Sequence, residues 1–423
     1  MKKNYYTKEL VADMLSTSKS TVESWIQKNK LKSIKPNGKT LIHKEELKQF
    51  EKLSFLFNKN KYKKPKPKRK YSVVELFAGC GGLALGFEEA GLKCLFANDI
   101  DKDSCKTLKE NRPNWNVLHK DIHKVSDSEF KKLKGADIVS GGFPCQAFSY
   151  AGKKMGFKDT RGTLFYEFAR AVKIIKPKIC IAENVRGLVS HDGGKTLKTI
   201  INVMEKDIGY EVIDPEICQS IFYEVPQKRE RLFLIGIKKG SGLKFNYPEK
   251  VSEAYTVRDA LKKGRLYKTN VPNSEFQKYT KRKQQIMRRV PPGGNWRDLP
   301  EKMKREYMRG SLHLGGGKTG IARRLSWDEP SLTLTTAPAM KQTERAHPVE
   351  DRPLSYREYA RIQTFPDNWN FIGTLNSKYK QIGNAVPPLM ALALGEEILN
   401  ALKLESRFTI SEVYRLNRDD PTH

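Results

Sequence analysis

Reactive and charged side chains stand next to three short apolar runs that predict β-strands. Cys145, in the sequence GGFPCQAFS, follows the first run. Glu183 lies at the end of a second run, and Arg229 and Arg231 stand just before a third. In an open parallel sheet the carboxyl ends of the strands face one crevice, although the two arginines precede their strand. A thiol, a carboxyl group and two guanidinium groups gathered there would suit covalent catalysis by the thiol.

A glycine-rich turn precedes these residues in YSVVELFAGCGGLALG, residues 71–86. Glycines at 79 and 81 would let the backbone approach a ligand closely. The next predicted strand ends in Asp99 and Asp101, about twenty residues further on, where carboxylates suit the hydroxyl groups of a ribose. NAD, FAD and S-adenosylmethionine all contain adenosine, so this pattern alone does not choose between them.

The positive charge of the chain is concentrated in two segments. Of a net charge of +31, residues 1–70 contribute +14 and residues 256–351 contribute +11. A chain with lysines on every surface would show an even spread instead. The asymmetry predicts two regions that bind a polyanion, nucleic acid before an acidic membrane, on either side of a more neutral core.

The first seventy residues predict a small DNA-binding module and a linker. Two short helices within residues 7–30 are separated by a three-residue turn, which is typical of a helix-turn-helix. Residues 31–42 predict a hairpin, and residues 44–56 a closing helix. The pattern resembles a winged helix-turn-helix of the excisionase or MerR type, with a generic small α/β cap as the alternative. Residues 61–70 contain seven basic residues and two prolines, which predict an extended linker.

The composition disfavours several classes of protein. Hydrophobic residues make up 38% of the 423 residues, which argues against global disorder. Six cysteines without a CxxC pair argue against a disulfide scaffold and against a zinc cluster. The apolar runs are shorter than the ~20 residues of a membrane span, so we expect a soluble cytoplasmic protein without a membrane partner.

Taken together, these motifs resemble the DNA (cytosine-5) methyltransferases of bacterial restriction–modification systems. The resemblance implies transfer of a methyl group from S-adenosylmethionine to carbon 5 of cytosine in a short duplex site, which would protect DNA from a cognate restriction enzyme. RNA cytosine methylation and a DNA-binding regulator with a vestigial methylase are the alternatives. The matching segments occur in the family's order within residues 71–400 and are ELFAGCGG, NDID, KDI, GGFPCQAFS, ENVRG, PQKRERLF, RPLSYREYARIQTFPD and QIGNAVPP.

The resemblance implies a role for each catalytic candidate. Cys145 matches the nucleophile that adds to carbon 6, which makes carbon 5 enamine-like. Glu183 matches the acid at N3 of the base, Arg231 matches the residue that holds O2, and Arg229 supports the site. An ordinary thiol with a pKa of about 8.5 is mostly protonated near neutrality, so positive surroundings should favour the thiolate.

A site for S-adenosylmethionine, and no metal site, is also implied by the resemblance. Asp99 would bind the ribose hydroxyls and Asp121 the adenine amino group. Two positions depart from the family's pattern, because Glu75 replaces the usual aspartate and Glu224 the usual glycine. The cofactor-binding candidates are Phe77, Gly79, Gly81, Asp99, Ile100, Asp121, Pro144, Leu164, Asn384 and Ala385.

Double-stranded DNA is the expected partner, with contacts in two parts of the chain. Residues 149–163 resemble the mobile loop that closes over DNA while the target base is extruded. Residues 250–350 lack the core motifs, as expected for a target-recognition segment, and Thr333 or Thr335 resembles the element that supports the extruded base. The target is expected to be a short G/C-containing or GATC-like site. The DNA-binding candidates are Gln146, Ser149, Gln227, Arg288, Arg289, Arg323 and Arg324.

The expected fold is α/β, a doubly wound, Rossmann-like methyltransferase core with a smaller target-recognition domain and an N-terminal winged helix-turn-helix. The N-terminal module is expected to bind operator DNA as a dimer and to repress transcription, and the enzyme to be associated with the bacterial nucleoid. The expected boundaries are 1–60 for the module, 61–70 for the linker, 71–250 for the catalytic core, 251–372 for the target-recognition domain, 373–405 for the C-terminal part of the core and 406–423 for a tail.

Overall fold

The computed structural model describes residues 5–14, 17–50, 71–144, 164–251, 253–313 and 319–404. The N-terminal elements are β1 (Tyr5–Thr7), α1 (Lys8–Met14), α2 (Lys19–Gln27), β2 (Leu41–His43) and α3 (Lys44–Gln49). The central elements are β3 (Ser72–Leu76), α4 (Gly82–Glu89), β4 (Lys93–Asp99), α5 (Lys102–Asn111), β5 (Val117–His119), α6 (Asp127–Lys131), β6 (Ile138–Gly141), α7 (Leu164–Ile175), β7 (Ile179–Val185), α8 (Lys195–Asn202), β8 (Tyr210–Val212), β9 (Glu216–Gln219), β10 (Gln227–Lys228) and β11 (Glu230–Lys238). The remaining elements are α9 (Val257–Leu261), α10 (Lys281–Met287), α11 (Glu301–Met308), β12 (Ser331–Leu332), α12 (Tyr356–Ile362), α13 (Leu375–Asn384) and α14 (Pro388–Leu404).

The core is built on one sheet with the strand order β5-β4-β3-β6-β7-β11-β8, and β9 also pairs with β11. The strands from β3 to β7 are parallel to one another. Side chains alternate between the two faces of a strand, so Val73 packs with α4 and α14 while Val74 packs with α7 on the opposite face. Helices on both faces confirm the doubly wound core that the sequence predicts.

The strand β11 reverses direction relative to its neighbour. It runs antiparallel to β7, with Arg231 opposite Val185 and Phe233 opposite Glu183. The beginning of β11 therefore lies at the same edge as the carboxyl ends of the parallel strands. This reversal explains how an arginine at the start of its strand shares a crevice with a glutamate near the end of another.

The chain returns to the core through α13 and α14. A Cβ atom on Gly82 would lie 2.2 Å from the Val386 carbonyl oxygen, so glycine is needed where α4 meets the returning chain. The Tyr71 hydroxyl donates to the Leu402 carbonyl oxygen at 2.9 Å, which ties the start of β3 to the end of α14. The stretch Leu375–Lys403 could cross a membrane by length and composition alone, yet 61% of its apolar window is buried inside the fold, as in a core helix of a soluble protein.

The N-terminal module contains the two predicted helices, α1 and α2, packed on each other. The Ser18 hydroxyl caps α2 by accepting from the Thr21 N–H at 3.1 Å. Of the predicted hairpin the structure forms one isolated bridge, between Ile34 and Leu41, because β2 pairs with β1 instead. The wing therefore stays a prediction, and the predicted linker at 61–70 lies outside the described residues.

The segment after β11 is buried in two different places. Side chains of α9 and α12 belong to the apolar cluster that contains Leu108 of α5 and Tyr379 of α13. Residues between Tyr279 and Ala346 surround a smaller core of their own. One part of the predicted target-recognition region is thus packed on the catalytic core, and the other part has a small apolar core of its own.

Candidate active site

A cleft of about 530 Å³ opens at the edge of the sheet where β3, β4, β6 and β7 end. The returning helix α13 forms its far wall. The gathering of strand ends at one edge explains why residues far apart in sequence meet here. The predicted site residues that line the cleft are Phe77, Gly79, Asp99, Ile100, Asp121, Pro144, Leu164, Glu183, Arg231, Asn384 and Ala385.

The glycine-rich turn between β3 and α4 shapes one side of the cleft. Phe77 and Gly79 have φ angles of 56° and 54°, a left-handed conformation that turns the backbone sharply at the end of the strand. The Gly79 N–H donates to the Asp99 carboxylate at 2.7 Å, which joins the turn to the end of β4. Gly81 does not line the cleft, and a Cβ there would meet Leu108 at 2.6 Å, so its cofactor role stays a prediction.

The acidic and apolar groups along β4 and β5 are arranged side by side on another wall. The Asp99 carboxylate also accepts from the Asp101 N–H at 2.7 Å, and burial raises its pKa. Ile100 is 68% exposed, an unusual state for an isoleucine and one that leaves an apolar surface free for a flat ligand. The Asp121 carboxylate accepts from the ring and the N–H of His123, which lowers the pKa of Asp121.

A glutamate and an arginine form an ion pair at the inner end of the cleft. The Arg231 Nε atom lies 2.7 Å from the Glu183 Oε1 atom. Burial raises the pKa of Glu183, and the positive charges of Arg231 and Arg229 oppose that rise. A Cβ on Gly142 would lie 2.5 Å from the other Glu183 carboxylate oxygen, so the backbone before Pro144 passes close to this carboxyl group. The arrangement suits a carboxyl group that can give or take a proton.

A second carboxyl group, Glu75, is buried beneath the same cleft. Burial raises its pKa to about 8, and its Oε2 atom has no hydrogen-bond partner in the described part of the structure. A neutral glutamic acid below pH 8 avoids much of the desolvation that a buried carboxylate would suffer. Glu75, which stands where the family usually has aspartate, is therefore a protonated side chain beside the cleft.

Two residues of the PQKRERLF motif lie behind the cleft and not on its surface. Gln227 is completely buried and Arg229 is 1% exposed. The Arg229 guanidinium donates to the carbonyl oxygens of Leu334 and Gly383 at 3.1 and 2.9 Å. Neither side chain lines the cleft: the bonds of Arg229 agree with the supporting role that the resemblance implies, and the DNA contact of Gln227 stays a prediction. Both side chains hold neighbouring segments in place.

The arginines of the recognition segment differ sharply in exposure. Arg324 is 3% exposed and donates to carbonyl oxygens of four residues and to the Asp351 carboxylate, so the structure does not support its predicted DNA contact. Arg289 is exposed, and Arg288 is exposed beside Asp351, 2.9 Å away. Arg323 is half-buried, and its Nε atom is without a partner in the described residues.

Several predicted residues lie outside the described part of the chain. They are the nucleophile candidate Cys145, the DNA-binding candidates Gln146 and Ser149, and the loop 149–163. The described chain stops at Pro144 and resumes at Leu164, and both of these residues line the cleft. In the sequence, the nucleophile candidate directly follows Pro144, a residue of the cleft wall.

Sequence reasoning missed two residues at or behind the cleft. Lys380 lines it and lies 3.0 Å from the Asp101 carboxylate, which joins α13 to α5 across the opening. Gln363 is buried and bridges the Gln227 side chain to the backbone of α13. Gln363 lies within a motif that the sequence analysis quotes, and Lys380 directly precedes another. Their positions could have drawn attention to them, but a lysine or a glutamine at such a place does not by itself indicate a role. Among the described residues no cluster of three or more metal-ligating side chains is present.

The family model for C-5 cytosine-specific DNA methylases matches residues 71–400. The chain belongs to this family. A helix-turn-helix domain model matches residues 5–52.

Relatives match over nearly the whole length. The type II methyltransferase M.Eco47II of Escherichia coli is 54% identical over 407 residues, covering 95% of this chain and 97% of that protein. M.PspPI of Psychrobacter sp. is 54% identical over 410 residues, covering 94% and 97%. A crystal structure of a DNA modification methyltransferase encoded within an E. coli prophage shares the fold, with a TM-score of 0.62 and 24% identity over 79% of this chain and all of that one.

The family defines the reaction class and the general partner. This protein is a type II DNA (cytosine-5) methyltransferase with an N-terminal helix-turn-helix domain, and it acts on DNA. Membership implies S-adenosylmethionine as the methyl donor. The predicted enzyme class is confirmed.

Proposed function

We propose that this methylase modifies one cytosine in a short duplex site and thereby protects DNA from a cognate restriction enzyme. The ion pair between Glu183 and Arg231 carries the proposal, because it places a proton donor and a fixed positive charge beside Pro144, the residue before the nucleophile candidate. A base extruded from the duplex into the cleft would meet both groups.

In the proposed mechanism the Cys145 thiolate forms a bond to carbon 6 of the cytosine. Glu183 gives a proton to N3 and Arg231 binds O2, so that the ring accepts the electrons of the incoming sulfur. S-adenosylmethionine, when bound, would supply the methyl group for carbon 5 from a positively charged sulfur, which would leave as a neutral thioether. A base removes the proton from carbon 5, and the proton on N3 returns to Glu183. The double bond between carbons 5 and 6 forms again as the bond from carbon 6 to the Cys145 sulfur breaks.

The cleft residues fit S-adenosylmethionine in shape and chemistry. Asp99, at the end of β4, is placed to accept from ribose hydroxyls, and the exposed face of Ile100 suits an adenine ring. Asp121 offers an acceptor for the adenine amino group, and Phe77 and Leu164 add apolar walls. Asn384 and Ala385 would close the opposite end. The buried Glu75 oxygen, which has no partner among the described residues, is further support, because a polar group of a bound ligand would satisfy it.

The DNA contacts are proposed for the cleft loop and the exposed arginines. Gln146 and Ser149 follow the nucleophile directly, and the loop up to 163 would close over the extruded base. Arg288, Arg289 and Arg323 are the remaining side-chain candidates on the recognition segment. Binding by such groups should weaken steeply with salt, because each neutralised phosphate contributes a slope of ~0.9 in log K against log salt.

Methylation of a plasmid followed by bisulfite sequencing tests the enzymatic proposal. The expected result is conversion-resistant cytosine at a single short sequence throughout the plasmid. A parallel reaction with tRNA addresses the rival RNA activity. Methylated RNA with unmodified plasmid would replace the DNA proposal, and no product on either substrate would favour the regulator with a vestigial methylase.

We further propose that the N-terminal module binds an operator as a dimer and represses its own gene. A restriction–modification system tolerates an excess of methylase, but it does not tolerate nuclease that is made too early. This difference favours a methylase that regulates its own expression. The lysines Lys28 and Lys30, exposed just after α2, are available for phosphates. Footprinting of the full chain upstream of its gene should give two half-sites ~10 base pairs apart. A Lys28→Ala/Lys30→Ala variant that methylates normally should lose this footprint, and a footprint that is absent with the wild type would indicate a general DNA tether.

A further inference from the structure

Three buried amide and guanidinium side chains lie between the wall of the cleft and the recognition segment. Gln227 and Gln363 are completely buried, and Arg229 is 1% exposed. Their partners are mainly backbone groups of two separate stretches, 331–335 and 382–385. Buried polar groups of this kind fix the segments they bond, because breaking a bond leaves a group without water or partner.

The first link between the two stretches runs through Arg229. One terminal nitrogen donates to the Leu334 carbonyl oxygen at 3.1 Å. The other donates to the carbonyl oxygens of Gly383 and Asn384 at 2.9 and 3.3 Å. Asn384 lines the cleft, so one planar side chain joins the cleft wall to the recognition segment.

The second link runs parallel to the first and contains two amides. The Leu334 N–H donates to the Gln227 side-chain oxygen at 2.8 Å. The Gln227 amide nitrogen donates to the Gln363 oxygen at 2.8 Å, and the Gln363 nitrogen donates to the Ile382 carbonyl oxygen at 2.6 Å. A longer bond of 3.2 Å reaches the carbonyl oxygen of Ala385, another cleft residue.

The two stretches also touch directly, which leaves little freedom for independent movement. A Cβ on Gly383 would lie 2.3 Å from the Thr335 carbonyl oxygen. The Thr333 hydroxyl donates to the Lys228 carbonyl oxygen at 2.5 Å, and β12 pairs in parallel with β10. A shift of residues 382–385 would therefore be transmitted to residues 333–335.

We infer that Gln227, Arg229 and Gln363 are positioning residues that couple the cofactor cleft to the recognition segment, so that a filled cleft raises affinity for the target duplex. The inference rests on the proposed function, since it needs a cofactor in the cleft and a duplex at the segment. Coupling of two sites is reciprocal and typically amounts to a five- to 150-fold change in affinity.

The test measures binding of a duplex carrying the site mapped by bisulfite sequencing, with and without saturating S-adenosylhomocysteine. The wild type should bind the duplex at least about fivefold more tightly with this ligand. Arg229→Lys should reduce that ratio below about twofold, because a single ammonium group cannot span both stretches as the fork does. Arg345→Lys is the matched control: Arg345 donates to the Thr333 carbonyl oxygen, 2.7 Å away, but has no hydrogen bond to residues 382–385 in the described structure. The control should weaken both affinities and keep the ratio.

Each alternative result has a defined meaning. A wild type without coupling, an Arg229→Lys enzyme that keeps the full ratio, or an Arg345→Lys enzyme that loses as much would overturn the inference. If Arg229→Lys does not fold, Gln363→Met breaks the parallel link and decides in the same way. A plasmid without methylated sites would overturn the proposed function and the inference together, whereas a mapped site without coupling overturns the inference alone.

Discussion

Arg231 at the edge of the catalytic sheet and Arg324 in the recognition segment have opposite surroundings. At the sheet edge, Arg231 faces the cleft and pairs with Glu183. In the recognition segment, Arg324 turns inward and binds the backbone of the segment that carries it. The difference shows that residue type alone does not indicate chemistry. The position of Arg231 in β11 directs it into the cleft, whereas the carbonyl groups around Arg324 direct it inward.

The largest effect is expected at the nucleophile. Cys145→Ser should abolish turnover while cofactor and DNA binding persist, because a hydroxyl of far higher pKa cannot supply the nucleophile. A duplex with 5-fluorocytosine in the site should trap the wild type covalently, since fluorine cannot leave as a cation, and denaturing gels would show the adduct. Full activity of the serine variant would contradict the mechanism.

The second-largest effect is expected when Glu183, the acid at the sheet edge, is replaced. Glu183→Gln should lower kcat by about 10²- to 10⁴-fold, the usual contribution of general acid catalysis. Its DNA affinity should change much less, which a binding assay with the unreacted duplex would verify. An unchanged rate would move the acid to another residue.

The two kinds of arginine can be separated by one pair of variants. Arg324→Ala should lower the free energy of unfolding by about 3 kcal/mol or more, because several buried carbonyl groups lose their donor. Arg289→Ala should leave stability unchanged and weaken DNA binding. Chemical denaturation and binding titrations at several salt concentrations distinguish the outcomes. A change of site preference for Arg289→Ala would mark base readout, and uniform weakening a phosphate contact.

Glu75 should make stability depend on pH. Its folded pKa of about 8 exceeds the ordinary value of 4.5, so the folded state binds the proton more tightly than the unfolded state. Its contribution is fully present below pH 4.5 and is lost as the pH rises towards 8, by at most a few kcal/mol. Relative to Glu75→Gln, the wild type should therefore lose stability between pH 5 and 8 in the absence of cofactor. Parallel unfolding curves across that range would contradict the protonated state.

The smallest effect concerns Glu224, the residue that replaces the family's glycine. It has a φ of 60°, a left-handed conformation that is strained for a side chain other than glycine. Glu224→Gly should raise the free energy of unfolding by up to about 1 kcal/mol, since relief of strain exceeds the added freedom of the unfolded chain. Glu230→Gly, within β11, is a matched control that should destabilise, and thermal unfolding would separate the two.

The sequence predicted the catalytic edge better than its surroundings for a physical reason. Motifs such as the one ending in Glu183 follow strands, and the alternation of buried residues defines where a strand ends. The antiparallel direction of β11 left no signal in its apolar run, so the meeting of Arg231 with Glu183 was expected from family resemblance alone. Burial of Arg229 and Arg324 could not be foreseen, because it depends on backbone carbonyl groups that arrive from distant segments.

The parallel pairing of β10 with β12 has a consequence for how this enzyme could change its target. The strand pair fastens residues 331–335 to the catalytic core, whereas Ile286 and Met287 of α10 pack in a separate cluster with Ala322 and Ala346. A chimera with the recognition segment of a relative of another specificity would therefore have to keep residues 331–335 of this chain. The exchanged residues would lie on both sides of them. The exchanged part is thus discontinuous in sequence. Replacing residues 251–372 as one block would also replace residues 331–335, which are hydrogen-bonded to the catalytic core.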